Sequence, residues 1–401
     1  MGMKYNEEKK KGKVLERMYD SIVIGCGFAG AVVARELAEQ KGHRVLVLDM
    51  RDHIGGNCYD VKDEHGILIH QYGPHIFHTN SKRVYDYLSR FTQWYDYRHE
   101  VVGKINGEEL PIPFNLNTLE KVFGERAEGL KERLIGQFGE GARVPILELM
   151  NHEDKELREI ADYVYENIFL HYTMKQWGKS PKEIDPAVSG RVPVLLSYDN
   201  RYFQDTYQGL PLHGFTPVFE KMLDYPGIEV RLSTPASEVL EFKPEEEVKV
   251  WFEEKPFAGN IVFTGALDEL FDCCYGRLPY RSLDFRFEHY DKPFYQSHGV
   301  INYTVSEDFT RITEFKYLTG QLEEKETTIV KEYPMPYSAA AGEVPYYAIN
   351  NEENQALYEK YLGLVKEIPN FYVLGRLAEY KYYNIDAIVE RALIMAEKIG
   401  E

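Results

Sequence analysis

Gly25, Gly27 and Gly30 stand in the run Gly25-Cys26-Gly27-Phe28-Ala29-Gly30, between the apolar stretch Ser21-Ile22-Val23-Ile24 and a segment of helical character from Phe28 to Gln40. Glycines so placed between a strand and a helix form the pattern that binds a dinucleotide. The first permits the tight turn, the second lets a pyrophosphate reach the backbone at the helix N-terminus, and the third lets helix and strand pack closely. Asp49 ends a second apolar stretch, Arg44 to Leu48, where a carboxylate can accept a hydrogen bond from a ribose hydroxyl. Arg51-Asp52-His53-Ile54-Gly55-Gly56-Asn57 then sets a second glycine pair just after that acid. In two-dinucleotide-binding flavoproteins such a segment lies along the diphosphate, so the pattern favours flavin over nicotinamide.

Charge narrows the partners. Lys and Arg total 47 against 65 Asp and Glu, a formal net charge of −18 over 401 residues. That field repels a nucleic-acid backbone. An anionic small substrate must therefore meet arginines gathered in one cleft, and each placed arginine carries extra weight. No uncharged run reaches the roughly 20 apolar residues of a spanning helix. Residues 1–18, with Glu7, Glu8, Lys9, Lys10 and Lys11, read as a charged leader without a signal-peptide core. Four cysteines, Cys26, Cys58, Cys273 and Cys274, make neither a disulfide framework nor a metal motif, which fits a reducing cytoplasm.

These groups need elements to position them. The strand, helix and strand from Ser21 to Leu48 make a βαβ unit. Between 117 and 177 the rhythm is helical, with Leu157, Ile160, Ala161, Val164 and Ile168 on one face. From 279 to 333 it becomes two: Arg281, Leu283, Phe285 and Phe287 share a strand face, and runs at His298 to Tyr303, Arg311 to Leu318 and Thr327 to Tyr333 predict an antiparallel sheet. The chain closes on a strand, Phe371 to Leu374, and a helix opened by Asp386 and running to Ile399.

His70-Gln71-Tyr72-Gly73-Pro74-His75-Ile76-Phe77-His78-Thr79, Leu110-Pro111-Ile112-Pro113-Phe114-Asn115-Leu116, Tyr172-Thr173-Met174-Lys175-Gln176-Trp177-Gly178, Thr310-Arg311-Ile312-Thr313-Glu314 and Gly375-Arg376-Leu377 resemble, in order, motifs of the bacterial UDP-galactopyranose mutases. The likeness runs from about Ile22 to about Glu390. It implies an α/β fold, an FAD-binding Rossmann-like domain with an inserted helical bundle and an antiparallel β-sheet domain. The corresponding division is 19–92, 216–272 and 366–401 for FAD, 114–186 for the bundle, and 93–113, 187–215 and 273–365 for the sheet and substrate. The implied activity interconverts UDP-galactopyranose and UDP-galactofuranose by attack of reduced flavin N5 on the anomeric carbon, with no net redox change. It would supply galactofuranose for cell-surface glycans. NAD(P)H or another reductant would activate the flavin, and a homo-oligomer is expected.

The resemblance also assigns residues. Arg311, Arg191 and His75 take catalytic places: Arg311 beside flavin and diphosphate, Arg191 on a lid, His75 near the isoalloxazine. Tyr172, Trp177, Tyr202, Tyr347, Tyr382, Asn384, His99 and His78 face the substrate, Tyr172 against uracil and Tyr202, Tyr347 and Tyr382 on phosphate. Gly25, Gly27, Phe28, Ala29, Gly30, Asp49, Gly56, Asn57, His75, Arg376 and Asp386 face the cofactor. Trp177 sits roughly 140° around a continued helix from Tyr172, so a helix end near Gly178 is needed for both to face one cleft. The histidines lack a third ligand at metal spacing, and no metal is expected. Asn384 stands where many relatives carry Asp. The alternative from another class is an amine-oxidase-type flavin oxidoreductase, which shares the glycine fingerprint and the three-part layout.

Overall fold

The computed structural model describes residues 19–178, 193–243 and 246–400. Its first layer is a five-stranded parallel sheet in the order Ile228–Arg231, Val45–Leu48, Ser21–Ile24, Asn260–Phe263, Phe371–Val373. Strands in such a sheet are covered on both faces, which is why Ser21–Ile24 and Val45–Leu48 are buried at every position. Helices Phe28–Lys41, Thr216–Leu223 and Ile385–Lys398 share the core on one face. Helix Glu352–Lys366 and a small three-stranded sheet supply the other. Helix Phe28–Lys41 ends where Gly42 turns left-handed at φ 68 and its amide bonds Leu37 O.

The second sheet has seven strands, in the order Tyr347–Ala348, Tyr280–Tyr290, Thr327–Pro336, Arg311–Glu314, Val300–Tyr303, Val101–Ile105, Glu108–Ile112. It is antiparallel except at one joint, where Val300–Tyr303 runs parallel to Val101–Ile105. The strands expected between 279 and 333 pair antiparallel with one another, and the parallel joint is where the Val101–Ile112 hairpin adds to them. The Asn106-Gly107 turn, with φ 51 and 90, fixes only its own hairpin. Nothing local sets the direction in which that hairpin meets strands reached after the helical block. The run from Arg311 to Leu318 also changes state: the strand stops at Glu314, and Phe315–Thr319 is a helix that buries Phe315 and Leu318 and closes on left-handed Gly320.

The helical block comprises Leu116–Phe123, Ala127–Phe138, Ile146–Met150, Lys155–Val164 and His171–Trp177, and packs against the Val101–Ile112 hairpin. Leu157, Ile160, Ala161, Val164 and Ile168 are all buried in that core. Between the last two helices, Tyr165–Leu170 forms a π-turn, an insertion that rotates everything after it relative to an uninterrupted helix. Among the described residues no helix is long and apolar enough to cross a membrane.

Candidate functional site

Gly25 to Ala29 of the glycine run and the second glycine pair line one cavity of about 790 Å³ at the C-terminal edge of the parallel sheet. The glycines do different jobs. At Gly25 φ is 103, and a Cβ would lie 1.9 Å from Thr264 Oγ1; at Gly30 a Cβ would lie 1.9 Å from Gly25 O. The fold alone demands both. A Cβ on Gly27 would meet nothing nearer than Gly56 Cα at 3.7 Å, so packing does not require glycine there. Gly27 is instead the N-cap of Phe28–Lys41, with no side chain bonded to the free amides. An open helix N-terminus with a bare backbone in front of it is the cradle a pyrophosphate uses.

Asp49 accepts from Cys26 N at 2.8 Å and Arg51 N at 2.9 Å, which orients its carboxylate and leaves lone pairs for a hydroxyl. Arg51 lies 4.4 Å over Tyr72 and donates through Nη2 to Asn57 Oδ1 at 3.0 Å. Its Nη1 is buried and finds no partner among the described residues, a donor in want of an acceptor. Cys26 and Cys58 also line this cavity, and burial pushes both thiols up to about 12, so neither is a thiolate at neutral pH.

A second cavity, about 670 Å³, opens between the segments around His75 and Arg376, the seven-stranded sheet and helix His171–Trp177. The two cavities share His75, Arg376, Leu377, Asn384 and Ile385. Every described residue expected at the substrate lines the second one: Tyr172, Trp177, Tyr202, Tyr347, Tyr382, Asn384, His99 and His78, with Arg311 and His75. Gly25, Gly27, Phe28, Ala29, Asp49, Gly56, Asn57, His75 and Arg376 line the first. Gly30 and Asp386 lie outside both walls. Gly30 is consumed by packing. The last helix starts one residue before the expected opening at Asp386, with Asn384 as N-cap, and Asp386 Oδ1 turns to the Ala387 amide at 2.7 Å. Arg191 falls outside the described residues.

Rings tie the wall together. Trp177 lies 6.2 Å from Tyr347, Tyr347 6.2 Å from Tyr382, and Arg376 4.5 Å over Tyr382. Opposite them His78 stacks on Phe203 at 3.6 Å and bonds Asp205 through Nδ1 at 2.8 Å. Helix His171–Trp177 ends on left-handed Gly178, and its Tyr172, Thr173, Gln176 and Trp177 all reach the cavity.

Arg311 sits opposite Glu332 in the register of adjacent antiparallel strands, and its Nε donates to Glu332 Oε2 at 2.8 Å. Burial works against the Arg311 cation, but the Glu332 carboxylate holds its pKa well above the usual value. Glu332 is 1% exposed, and burial raises its pKa against the pull of Arg311. Burial likewise raises the Tyr172 and Tyr347 hydroxyls, keeping them neutral donors. His75 bonds Gly73 O through Nδ1 at 2.9 Å; a carbonyl only accepts, so Nδ1 carries the proton and Nε2 is left as an acceptor.

Burial, with Arg376 and Arg311 adding positive charge, lowers His75 to about 3. Burial, reinforced by Arg311, takes His99 to about 3, and burial alone takes His70 to about 4. All three are neutral at working pH. The unfolded chain binds protons near pH 6.5 that the folded chain refuses, so this stabilisation is complete above about 6.5 and drains away as pH falls toward 4 to 3. For His70 and His99, the two that are buried, this amounts to roughly 1.5 kcal/mol each between pH 6.5 and 5. In denaturant unfolding at pH 7 and pH 5, His70→Gln is expected to flatten the pH slope by roughly 0.7 proton; an unchanged slope would refute the assignment.

Three residues escaped the sequence reading. Glu332 is in phase with buried Val330 on its strand, and an acid in an apolar phase is a signal of a paired charge. Arg281 is in phase with Leu283 and Phe285; it is 7% exposed and donates to Gln176 O at 2.9 Å, capping the helix that carries Trp177. Lys175 Nζ reaches Tyr303 O at 2.6 Å and Glu307 O at 2.7 Å, which ties the same helix to the sheet.

The chain matches the family model described as UDP-galactopyranose mutase over residues 167–382, and an NAD(P)-binding Rossmann-like domain over 23–91. It is 37% identical to a probable UDP-galactopyranose mutase of Klebsiella pneumoniae over 94% of both chains. It is 34% identical to a dTDP-fucopyranose mutase of Escherichia coli, over 94% of this chain and 97% of that one. Among solved structures it resembles a reduced UDP-galactopyranose mutase with TM-score 0.69, 15% identity and coverage of 94% and 93%.

Proposed function

Because the chain belongs to the UDP-galactopyranose mutase family, we propose that it is an isomerase interconverting UDP-galactopyranose and UDP-galactofuranose, with FAD in the first cavity and the nucleotide sugar in the second. One observation carries this reading: the two cavities meet at His75, Arg376, Asn384 and Ile385, so the ring end of a dinucleotide in the first faces the sugar end of a ligand in the second. The uncapped helix that follows Gly27, the unpartnered Arg51 Nη1 and the oriented Asp49 carboxylate fit FAD. Bound and reduced, flavin supplies a nucleophilic ring nitrogen for the anomeric carbon. In this division residues 19–92, 216–272 and 366–401 hold the cofactor, 114–186 form the bundle, and 93–113, 187–215 and 273–365 carry the substrate side.

The chain's own groups do the rest. Arg311, held cationic by Glu332, neutralises the diphosphate and stabilises the charge that grows as the anomeric bond breaks. Tyr347 and Tyr382 offer hydroxyls to phosphate oxygens, and Tyr172 and Trp177 offer faces to base and sugar. Neutral His75 and His99 add polar contacts without adding charge. The N-terminus of Ile385–Lys398 stands at the shared wall, where its positive end favours an anionic reduced ring. Arg191 acts as the lid cation in this reading, NAD(P)H or a similar donor as reductant, a homo-oligomer as the working form, and the cytoplasm as its place.

The test is product analysis after incubating dithionite-reduced protein with UDP-galactofuranose. UDP-galactopyranose should form with no reductant consumed per turnover. Preferential turnover of a dTDP-linked 6-deoxy sugar would move the substrate, and amine oxidation without isomerisation would restore the oxidoreductase alternative.

A further inference from the structure

Away from both cavities, the turn between strands Asp60–Lys62 and Leu68–His70 brings His65 onto His289, at the far end of Tyr280–Tyr290, and Glu326, just before Thr327–Pro336. Their ligating atoms lie within 4.8 Å of one another, the one such group among the described residues. His65 Nδ1 is 3.5 Å and His289 Nε2 3.2 Å from the same oxygen, Glu326 Oε2.

The hydrogen bonds behind this group set its chemistry. Thr328 Oγ1 donates to Asp63 Oδ2 at 2.5 Å, so its one proton is spent. The contact between Thr328 Oγ1 and His289 Nδ1, at 3.0 Å, must then be a donation from the ring. The other ring nitrogen, His289 Nε2, is thereby aimed at Glu326 Oε2, the oxygen that His65 Nδ1 also approaches. The His65 and His289 rings stack at 3.3 Å with an interplanar angle of 6°, so both stand beside the Glu326 carboxylate. One divalent ion answers all three groups at once.

The geometry points to a zinc-class divalent metal site formed by His65, His289 and Glu326, with water completing the coordination. The sequence reading expected no metal because His75, His78 and His99 lack a third ligand at metal spacing; His65, His289 and Glu326 come from distant segments. Support for His289 is already built, as Asp63 and Thr328 hold its other nitrogen in the way ligating histidines are held. His65, on an exposed turn, rotates out of the stack so that its lone pair meets the ion. The ion would clip the hairpin that leads to His70 and His75 onto the two strands that carry Phe285 and Glu332 to the substrate cavity. It is structural, remote from the reacting atoms, and independent of the proposed isomerisation.

Chelator-stripped full-length protein, titrated with Zn²⁺ against a chromophoric chelator, should bind one ion per chain. Zn²⁺ should also raise its Tm by a few degrees, while Mg²⁺, which prefers oxygen ligands, should not. His289→Ala should weaken binding at least tenfold and abolish the Tm shift, with flavin content and metal-free turnover unchanged. His65→Asn, on the exposed turn, gives the same readout should His289→Ala fail to fold. No saturable Zn²⁺ binding by the parent below about 100 μM, or equal binding in the parent and His65→Asn, would overturn the site.

Discussion

Arg311→Ala paired with Glu332→Gln should bind FAD, keep its fold and turn over UDP-galactofuranose about 10² to 10³ times more slowly than the parent. The factor follows from one charge-assisted donor aimed at developing negative charge, worth roughly 2.7–4 kcal/mol. The pair is required because the structure alters what the single change would do. Glu332 is 1% exposed and its Oε2 is held by Arg311 Nε, while its Oε1 is buried with no partner among the described residues. Removing the guanidinium alone strands that carboxylate, a loss of roughly 3–5 kcal/mol unless it takes up a proton. Arg311→Ala should therefore lose stability as well as rate, and Glu332→Gln should return the stability without the rate. Arg311→Lys should restore only part of the turnover, because an ammonium cannot donate to Glu332 and a diphosphate through one planar fork. Stopped-assay kcat and KM with chemical unfolding on the four proteins separate the two effects. Turnover of the paired variant within a few-fold of the parent would remove Arg311 from the charge-stabilising role.

The same pair shows where the sequence was legible and where it was not. Burial on both faces made Ser21–Ile24 and Val45–Leu48 readable as parallel strands, because their composition reports their surroundings directly. The substrate tyrosines were reachable through motif likeness, and the structure brings Tyr172, Tyr202, Tyr347 and Tyr382 to one cavity from four separate segments. Arg311 was found the same way, but its partner was not, since the Arg311–Glu332 contact depends on strand register rather than on local pattern. The parallel joint between Val300–Tyr303 and Val101–Ile105 is hidden for a similar reason: no turn connects those strands. The π-turn at Tyr165–Leu170 leaves no trace in apolar spacing, because Val164 and Ile168 are buried either side of its start as in a regular helix. Arg281 was in plain view, in phase with Leu283 and Phe285. What the sequence withheld was that its guanidinium closes a helix end instead of meeting a carboxylate. Such cross-element pairs are chosen by tertiary geometry, and a one-dimensional pattern shows at most that a charge stands in an apolar phase.

Gly27→Val should give a folded protein that has lost its flavin, and Gly30→Ala should fail to give a folded protein at all. The contrast rests on what a Cβ meets. At Gly30 it would lie 1.9 Å from the Gly25 carbonyl oxygen and 3.0 Å from Val23 Cγ1, between a strand and a helix that cannot part without opening the core. At Gly27 the nearest atoms are Gly56 Cα at 3.7 Å and Gly55 O at 3.8 Å, ordinary contact distances, and φ is −82, which any residue adopts. The fold therefore tolerates a side chain at 27, while a pyrophosphate approaching the free amides of Phe28–Lys41 would collide with it. Losing one charge-assisted bond to those amides costs about 1.5–3 kcal/mol, so FAD affinity should fall roughly tenfold to a hundredfold from that bond alone, before any steric clash. The ratio of 450 nm to 280 nm absorbance of purified protein reports the flavin, and circular dichroism melting reports the fold. Gly27→Val that melts like the parent and is equally yellow would show that the bare backbone at 27 serves something other than a pyrophosphate.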